Sequence, residues 1–283
     1  VEFTAQGIQV GPIVVSFFSL IVLAALLSAV IFAHVRVSRA QQDTKTVVDI
    51  AVWVLVISIV VGRIFYVVNP PPSVAVLYNR DWTFAHVFDL QIGPLAIWSG
   101  GIGSAGALLG GILGALIVLR RNKADFWYWG DLLTPPALLG LVISPFANLI
   151  NQQMYGQPTT LPWGIQVENP IPPYAIGTIF HPTPVYVSQW GLLCLGLILW
   201  VERKLSPQTG ELLLIATVLY LPGLILADLL RVDVNHFLLG LTGTQSFGLI
   251  LVMAATVLLV VRRRSRISKT SPLPVKAVEA TDR

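Results

Sequence analysis

The chain reads as an all-α integral membrane protein of about seven transmembrane helices, with its N-terminus outside and its C-terminus in the cytoplasm. Three observations predict this. Hydrophobic residues make up 55% of the 283 residues and charged residues only 11%, and mean hydropathy is +0.76, values foreign to a soluble domain. Apolar stretches recur along the whole length, and at about 20 residues per crossing roughly six to eight helices fit. Finally, Lys and Arg gather in every second connection, which fixes the orientation.

Seven apolar segments are predicted as spans: Pro12–Val35, Thr46–Val68, Leu95–Leu119, Trp127–Ile150, Pro184–Val201, Leu212–Leu230 and Phe247–Val261. Arg36, Arg39 and Lys45 follow the first, and Arg120, Arg121 and Lys123 the third. Arg203 and Lys204 follow the fifth; Arg262, Arg263, Arg264 and Arg266 follow the seventh. The other connections are poor in cations, with Arg80 alone between spans two and three and none from Asn151 to Pro184. The first span is read as an anchor rather than a cleavable leader, because Glu2 stands where a basic region belongs and the apolar core is long. Residues 1–262 are expected to form a single polytopic domain, and 263–283 a basic, disordered cytoplasmic tail whose arginines sit at anionic headgroups. The isoelectric point of 9.4 follows from that topology and does not call for nucleic acid.

Two outer connections are more than linkers. Asn69 to Gly93 opens with Pro70-Pro71-Pro72 and carries Trp82, Phe84 and Phe88, a composition suited to the membrane interface. Asn151 to Pro184 is rich in proline and holds Trp163, Tyr174 and Phe180, as loops that frame a mouth often are. A weak internal echo, Ile8-Gln9-Val10-Gly11-Pro12 and Leu90-Gln91-Ile92-Gly93-Pro94, precedes spans one and three. In the third span Gly106, Gly110 and Gly114 form small-xxx-small pairs, which predicts tight helix packing or, alternatively, a glycine-lined cavity for a headgroup.

Polar groups at membrane depth single out the candidate site, because each is costly unless it bonds something. Asn148 and Asn151 lie three apart at the end of span four, before the loop ending in Gly156 and Gly164. Arg63 lies well inside span two, and Asp228 and Arg231 fall at i and i+3 on span six, where they can pair. An Arg63–Asp228 pair between helices is one expectation; a guanidinium gripping a phosphate is the other. Asp131 is expected to cap its own helix. His181 precedes span five. Cys194 lies alone in an apolar run and is read as a buried thiol, so neither a metal nor a cofactor is expected.

Several separate segments resemble the bacterial prolipoprotein diacylglyceryl transferase family. They are Val10-Gly11-Pro12, Gly62-Arg63-Ile64-Phe65-Tyr66, Trp98 to Gly111, Asn148 to Gly164, His181-Pro182-Thr183 with Tyr186, and Asp228 with Arg231 and Asp233. The resemblance implies a multi-pass protein of the bacterial cytoplasmic membrane. The implied activity moves a diacylglyceryl group from phosphatidylglycerol, or another anionic phospholipid, to the cysteine thiol of a lipobox-containing precursor protein. The family motif Gly-Arg-x-Gly-Asn-Phe-x-Asn-x-Glu-x-x-Gly is kept at Asn148, Asn151 and Gly156. Ser144 and Pro145 replace its Gly-Arg, and Gln153 replaces its Glu. A family histidine corresponds to Ala105, a family arginine to Leu224 and a family aromatic hydroxyl to Phe18. Arg63, Asn148, Asn151, Gly156, Asp228 and Arg231 are thus the candidate lipid-binding residues, and His181 and Arg231 the candidate catalytic ones. Losing one donor at a developing charge costs about two to three powers of ten in rate. The alternative function is therefore a non-catalytic relative that binds anionic phospholipid or lipoprotein precursors, or a subunit of a membrane complex. Transport fits less well, since no matching pair of broken helices occurs in two halves.

Overall fold

A computed structural model of the chain describes residues 2–4, 7–10, 13–69, 86, 89, 93, 95, 101–234 and 236–270. Seven of its helices are long and apolar enough to cross a membrane, as the hydropathy pattern predicts. The aromatic features of the second connection (Pro70-Pro71-Pro72, Trp82, Phe84 and Phe88), Pro12, Pro94, Trp98 and the tail from 271 lie outside the described residues.

A three-stranded antiparallel meander, β1 (Glu2–Thr4), β2 (Gly7–Val10) and β3 (Ile13–Ser16), precedes α1 (Phe17–Arg39). The first span was expected to start at Pro12. The β-branched run Ile13-Val14-Val15 instead favours a strand, and Ser16 caps the helix by accepting the Ser19 N–H at 3.1 Å.

The third span likewise starts late. α2 (Lys45–Val68) packs along α3 (Ser104–Arg121), whose start was expected at Leu95. Gly101 has φ +84, a left-handed conformation that no helix continues through. Between the two helices the glycines are filled by backbone. A Cβ on Gly106, Gly110 or Gly114 would lie 2.7 Å from Val61 O, 2.5 Å from Ile57 O or 2.6 Å from Trp53 O. Three glycines at four-residue steps thus meet three carbonyls at four-residue steps. This is close helix packing, not the glycine-lined cavity.

The fourth span is two helices, α4 (Phe126–Ile143) and α5 (Pro145–Ile150), broken at Ser144. Pro145 has no N–H to continue the ladder and is found at the first position of the new helix. The loop that follows contains β4 (Ile165–Gln166) and β5 (Ile179–Phe180), and leads into α6 (Thr183–Leu205) and α7 (Glu211–Leu229). Asp131 does not cap its own helix. Reaching across from α4, its carboxylate accepts the Gly210 and Leu213 N–H groups and so caps α7, because Asp125 already caps α4 through the Tyr128 N–H at 2.7 Å.

After β6 (His236–Leu238) and β7 (Leu241–Thr242), α8 runs from Gly243 to Thr270. It starts before the expected Phe247 because Thr242 and Gln245 form a reciprocal capping box: Thr242 Oγ1 accepts the Gln245 N–H at 3.1 Å and Gln245 Oε1 accepts the Thr242 N–H at 3.3 Å. Its end, at Thr270, lies past the expected Val261.

One core cluster, including Leu138, Cys194, Ile198, Leu212 and Tyr220, joins α4, α6 and α7. Another, including Val37, Val47, Val118 and Trp129, joins α1 to α4. The connections rich in Lys and Arg meet on one face of the bundle. There Arg36 forms a bidentate pair with Glu202 at 3.0 and 2.5 Å, Asn122 bonds Thr46, and Arg262 bonds Thr209 O and stacks on Trp127. That face is the cytoplasmic one by charge, which leaves the Asn151–Pro182 loop on the other.

Candidate lipid-binding site

The outer loop is held by its backbone before any side chain acts. Gly156 N donates to His181 O at 2.8 Å and His181 N to Gln157 O at 3.0 Å. On the opposite side Gln157 N donates to Leu230 O at 2.9 Å and Val232 N to Tyr155 O at 3.3 Å. The 155–157 strip is therefore sandwiched between the entrance to α6 and the exit from α7. Gly156 is needed for this approach: a Cβ there would lie 2.9 Å from His181 Cβ and 2.9 Å from Thr183 Cγ2. A small core of Tyr155, Val167 and Phe180 fills the loop behind it. Burial raises the Tyr155 phenol above its ordinary value near 10, against the opposing effect of the Ile171 N–H bonded to its oxygen.

An ionic chain ties this loop to two helix ends. Met154 N donates to Asp233 Oδ2 at 2.7 Å, and Arg231 Nε donates to Asp233 Oδ1 at 2.9 Å. Arg231 Nη1 donates to Asp228 Oδ1 at 2.9 Å, realising the pairing that the i and i+3 spacing predicts. The other Asp228 oxygen accepts Thr242 Oγ1 and Gln245 Nε2. Both carboxylate oxygens are thereby taken, and the expected Arg63–Asp228 pair does not form. Arg63 turns instead to backbone carbonyls, donating to Gly101 O at 3.1 Å and Gly93 O at 3.0 Å, with its guanidinium 5.6 Å from the Tyr66 ring.

Arg231 thus stands between two carboxylates, and the trio carries a net charge of −1. Such a cluster is a clasp more than an anion grip. His181 belongs to a different group. Its Nδ1 lies 2.9 Å from Tyr186 Oη, which also accepts the Trp163 indole N–H at 2.9 Å. Asn148 and Asn151, at the end of α5, bond no described residue through their side-chain amides, and Gln153 beside them is exposed.

The positions where the resemblance implies substituted groups are packed rather than poised. Ala105 is buried, and a Cβ on Gly243 would come within 3.0 Å of it, with Phe65 alongside. Leu224 packs against the α4–α6–α7 core. Phe18 is half-buried near the start of α1. Thr242, Gln245 and Met154 were missed by sequence reasoning. The Thr-x-x-Gln spacing carried a signal for the first two, whereas nothing local marked Met154.

Fold and site together define a multi-pass membrane protein with a polar, loop-capped site at the outer ends of its helices. The sequence comparisons then give the family. Residues 6–261 match the prolipoprotein diacylglyceryl transferase family, and the chain belongs to it. It is 28% identical over 281 residues to the phosphatidylglycerol–prolipoprotein diacylglyceryl transferase of Paenarthrobacter aurescens strain TC1, covering 95% of this chain and 85% of that protein. The enzyme of the same description from Acaryochloris marina is 30% identical over 237 residues, 82% of each chain. That from Trichormus variabilis is 30% identical over 241 residues, 82% of this chain and 81% of its own.

Proposed function

We propose that this chain works in the bacterial cytoplasmic membrane as a phosphatidylglycerol–prolipoprotein diacylglyceryl transferase of reduced rate. The observation that carries the reading is family membership along almost the full chain, joined to a site in which the side-chain amides of Asn148 and Asn151 bond no described residue. In the reaction the lipobox thiol sulfur bonds the glyceryl carbon, the carbon–oxygen bond to phosphate breaks, and glycerol phosphate leaves. Asn148 and Asn151 can each donate two N–H groups to the phosphodiester. His181 is the titratable group that can accept the thiol proton. The step requires the tautomer that donates Nδ1–H to Tyr186 Oη and leaves the lone pair on Nε2. Arg63 contributes positive potential from within the bundle. The low rate follows from Pro145, Leu224 and Ala105, since each position lacks a group that would stabilise developing charge.

A second reading has its own observation. Arg231 is clasped by Asp228 and Asp233, which favours a non-catalytic relative that binds anionic phospholipid or lipoprotein precursors, or serves a membrane complex.

One experiment separates them. The chain is expressed in cells depleted of their own transferase, and lipidation of a reporter lipobox cysteine is followed by mobility shift and mass spectrometry. Lipidation by the wild type and its loss in Asn148→Ala is the expected result. Absence of lipidation from folded, membrane-inserted protein sinks the transferase reading. Phosphatidylglycerol retained by the purified chain, and lost in Asn148→Ala, then supports the binding reading.

A further inference from the structure

The outer loop carries an apolar surface that the reaction does not use. Leu161, Trp163, Ile176 and Ile179 are all exposed, Trp163 at 56% and Ile176 at 80%. Gly164 lies against Ile179, since a Cβ there would be 2.3 Å from Ile179 Cγ2; it is also 3.2 Å from the Leu161 carbonyl and follows Trp163 in the chain. Ile176 rides on the Ala175–Thr178 turn, closed by the Thr178 N–H and hydroxyl donating to Ala175 O at 3.2 and 2.7 Å. The shallow crevice alongside, lined by Pro158, Thr159, Thr160, Thr178 and Ile179, has no charged wall.

Beyond the backbone bonds that hold the loop, one side-chain hydrogen bond ties this surface to a spanning helix. Trp163 Nε1 donates to Tyr186 Oη, and Tyr186 lies in the first turn of the spanning helix α6. Farther along the same helix Leu192, Leu193, Leu197 and Trp200 are exposed along the lipid-facing belt. Trp163 is therefore tied to the outer end of a spanning helix, the region where tryptophan is favoured. The charge content of the loop agrees, for residues 151–184 contain no Lys or Arg and a single carboxylate, Glu168. A loop destined for water has no need of that composition, and one pressed into a bilayer cannot carry many charges.

We propose that Leu161, Trp163, Ile176 and Ile179 form an interfacial anchor that seats the outer loop in the outer leaflet. Asn148 and Asn151 then open at the lipid surface, not above it. The inference rests on topology and not on turnover, so a catalytically silent chain would show it too.

The full chain is reconstituted in nanodiscs of phosphatidylcholine and phosphatidylglycerol, in a Cys194→Ser background. Single cysteines at 161, 163, 176 and 179, and at Glu168 as a water-facing reference, receive a nitroxide. Collision rates with oxygen and with an aqueous nickel chelate are then compared. The expected result is an oxygen-to-nickel ratio several-fold higher at the four apolar positions than at 168. Equal ratios at all five overturn the anchor. So does protection from both reagents with spin coupling between copies, which would mean that a second chain covers the patch. Hydroxyl-radical footprinting of the unsubstituted chain asks the same question should a variant not fold: Trp163 is expected to oxidise several-fold less in bilayers than in a denatured control. Undiminished oxidation in bilayers would be decisive against the proposal.

Discussion

Asp228→Asn tests whether the ionic chain at the site holds the fold. The carboxylate is buried and takes three donors: Arg231 Nη1 at 2.9 Å, Gln245 Nε2 at 3.1 Å and the Thr242 hydroxyl. Asparagine keeps the shape but removes the charge opposite Arg231. It also turns one acceptor into a donor facing Arg231 on one side or Thr242 and Gln245 on the other. Removing one partner of a buried pair costs about 3–5 kcal/mol. Arg231 keeps Asp233 and its side chain is 13% exposed, which places the loss at the lower end, about 3 kcal/mol. At about 2 °C per kcal/mol for a chain of this length, the thermal midpoint falls by about 6 °C. Cys194 supplies the assay, since it is 1% exposed and the chain has no other cysteine. A thiol-reactive fluorophore therefore lights up only on unfolding. Thr242→Val is expected to lower the midpoint too, and the double variant to fall by less than the sum, because both substitutions break one network. A midpoint within about 1 °C of wild type for Asp228→Asn would refute the reasoning, and so would strict additivity.

Gly156→Ala should cost about 1–3 kcal/mol by overpacking against His181 and Thr183, read as a lower midpoint and faster proteolysis within the loop; wild-type resistance would contradict the sandwich described above. Gly110→Ala should destabilise far more than Gly111→Ala: the added carbon meets the Ile57 carbonyl at 2.5 Å in the first case and only the Ser58 hydroxyl at 3.2 Å in the second. Equal midpoints would show that α2 and α3 do not pack this closely. The raised Tyr155 value makes a pH prediction. A group that holds its proton more tightly when folded stabilises fully below the unfolded value near 10 and loses that contribution as pH rises through the folded one. Fluorescence-monitored midpoints should thus fall above pH ~10, and less steeply in Tyr155→Phe; identical slopes would remove Tyr155 from the account.

How much of this was legible in sequence depended on distance along the chain. The seven spans were, because hydropathy and cation alternation are summed over many residues. Their edges were not, because one cap or one β-branched run decides each, as Ser16 and Ile13-Val14-Val15 do for α1. The Asp228–Arg231 pair could be read from a spacing of three. Its extension to Met154, Thr242 and Gln245 could not, since those partners are brought in by the packing of the loop and α8. Arg63 shows the same limit from the other side. Its burial was foreseeable, but two of its partners, Gly93 O and Gly101 O, are brought to it by the fold, and Gly101 lies in a stretch that hydropathy had read as helix.

The geometry also sorts the family positions that this chain retains. Gly156 is required where the backbone passes His181 and Thr183 at contact distance. Asp228 is required where α7 meets the capping box of α8, and Arg231 joins Asp228 to Asp233 and so to the loop. These three would be needed by this fold whether or not anything reacts, so their presence supports membership more than chemistry. Asn148 and Asn151 differ. Their amides engage no described residue; Asn148 is half-buried and Asn151 exposed. They are the part of the resemblance that no hydrogen bond among the described residues explains, and that is why Asn148→Ala is the decisive variant for the proposed function.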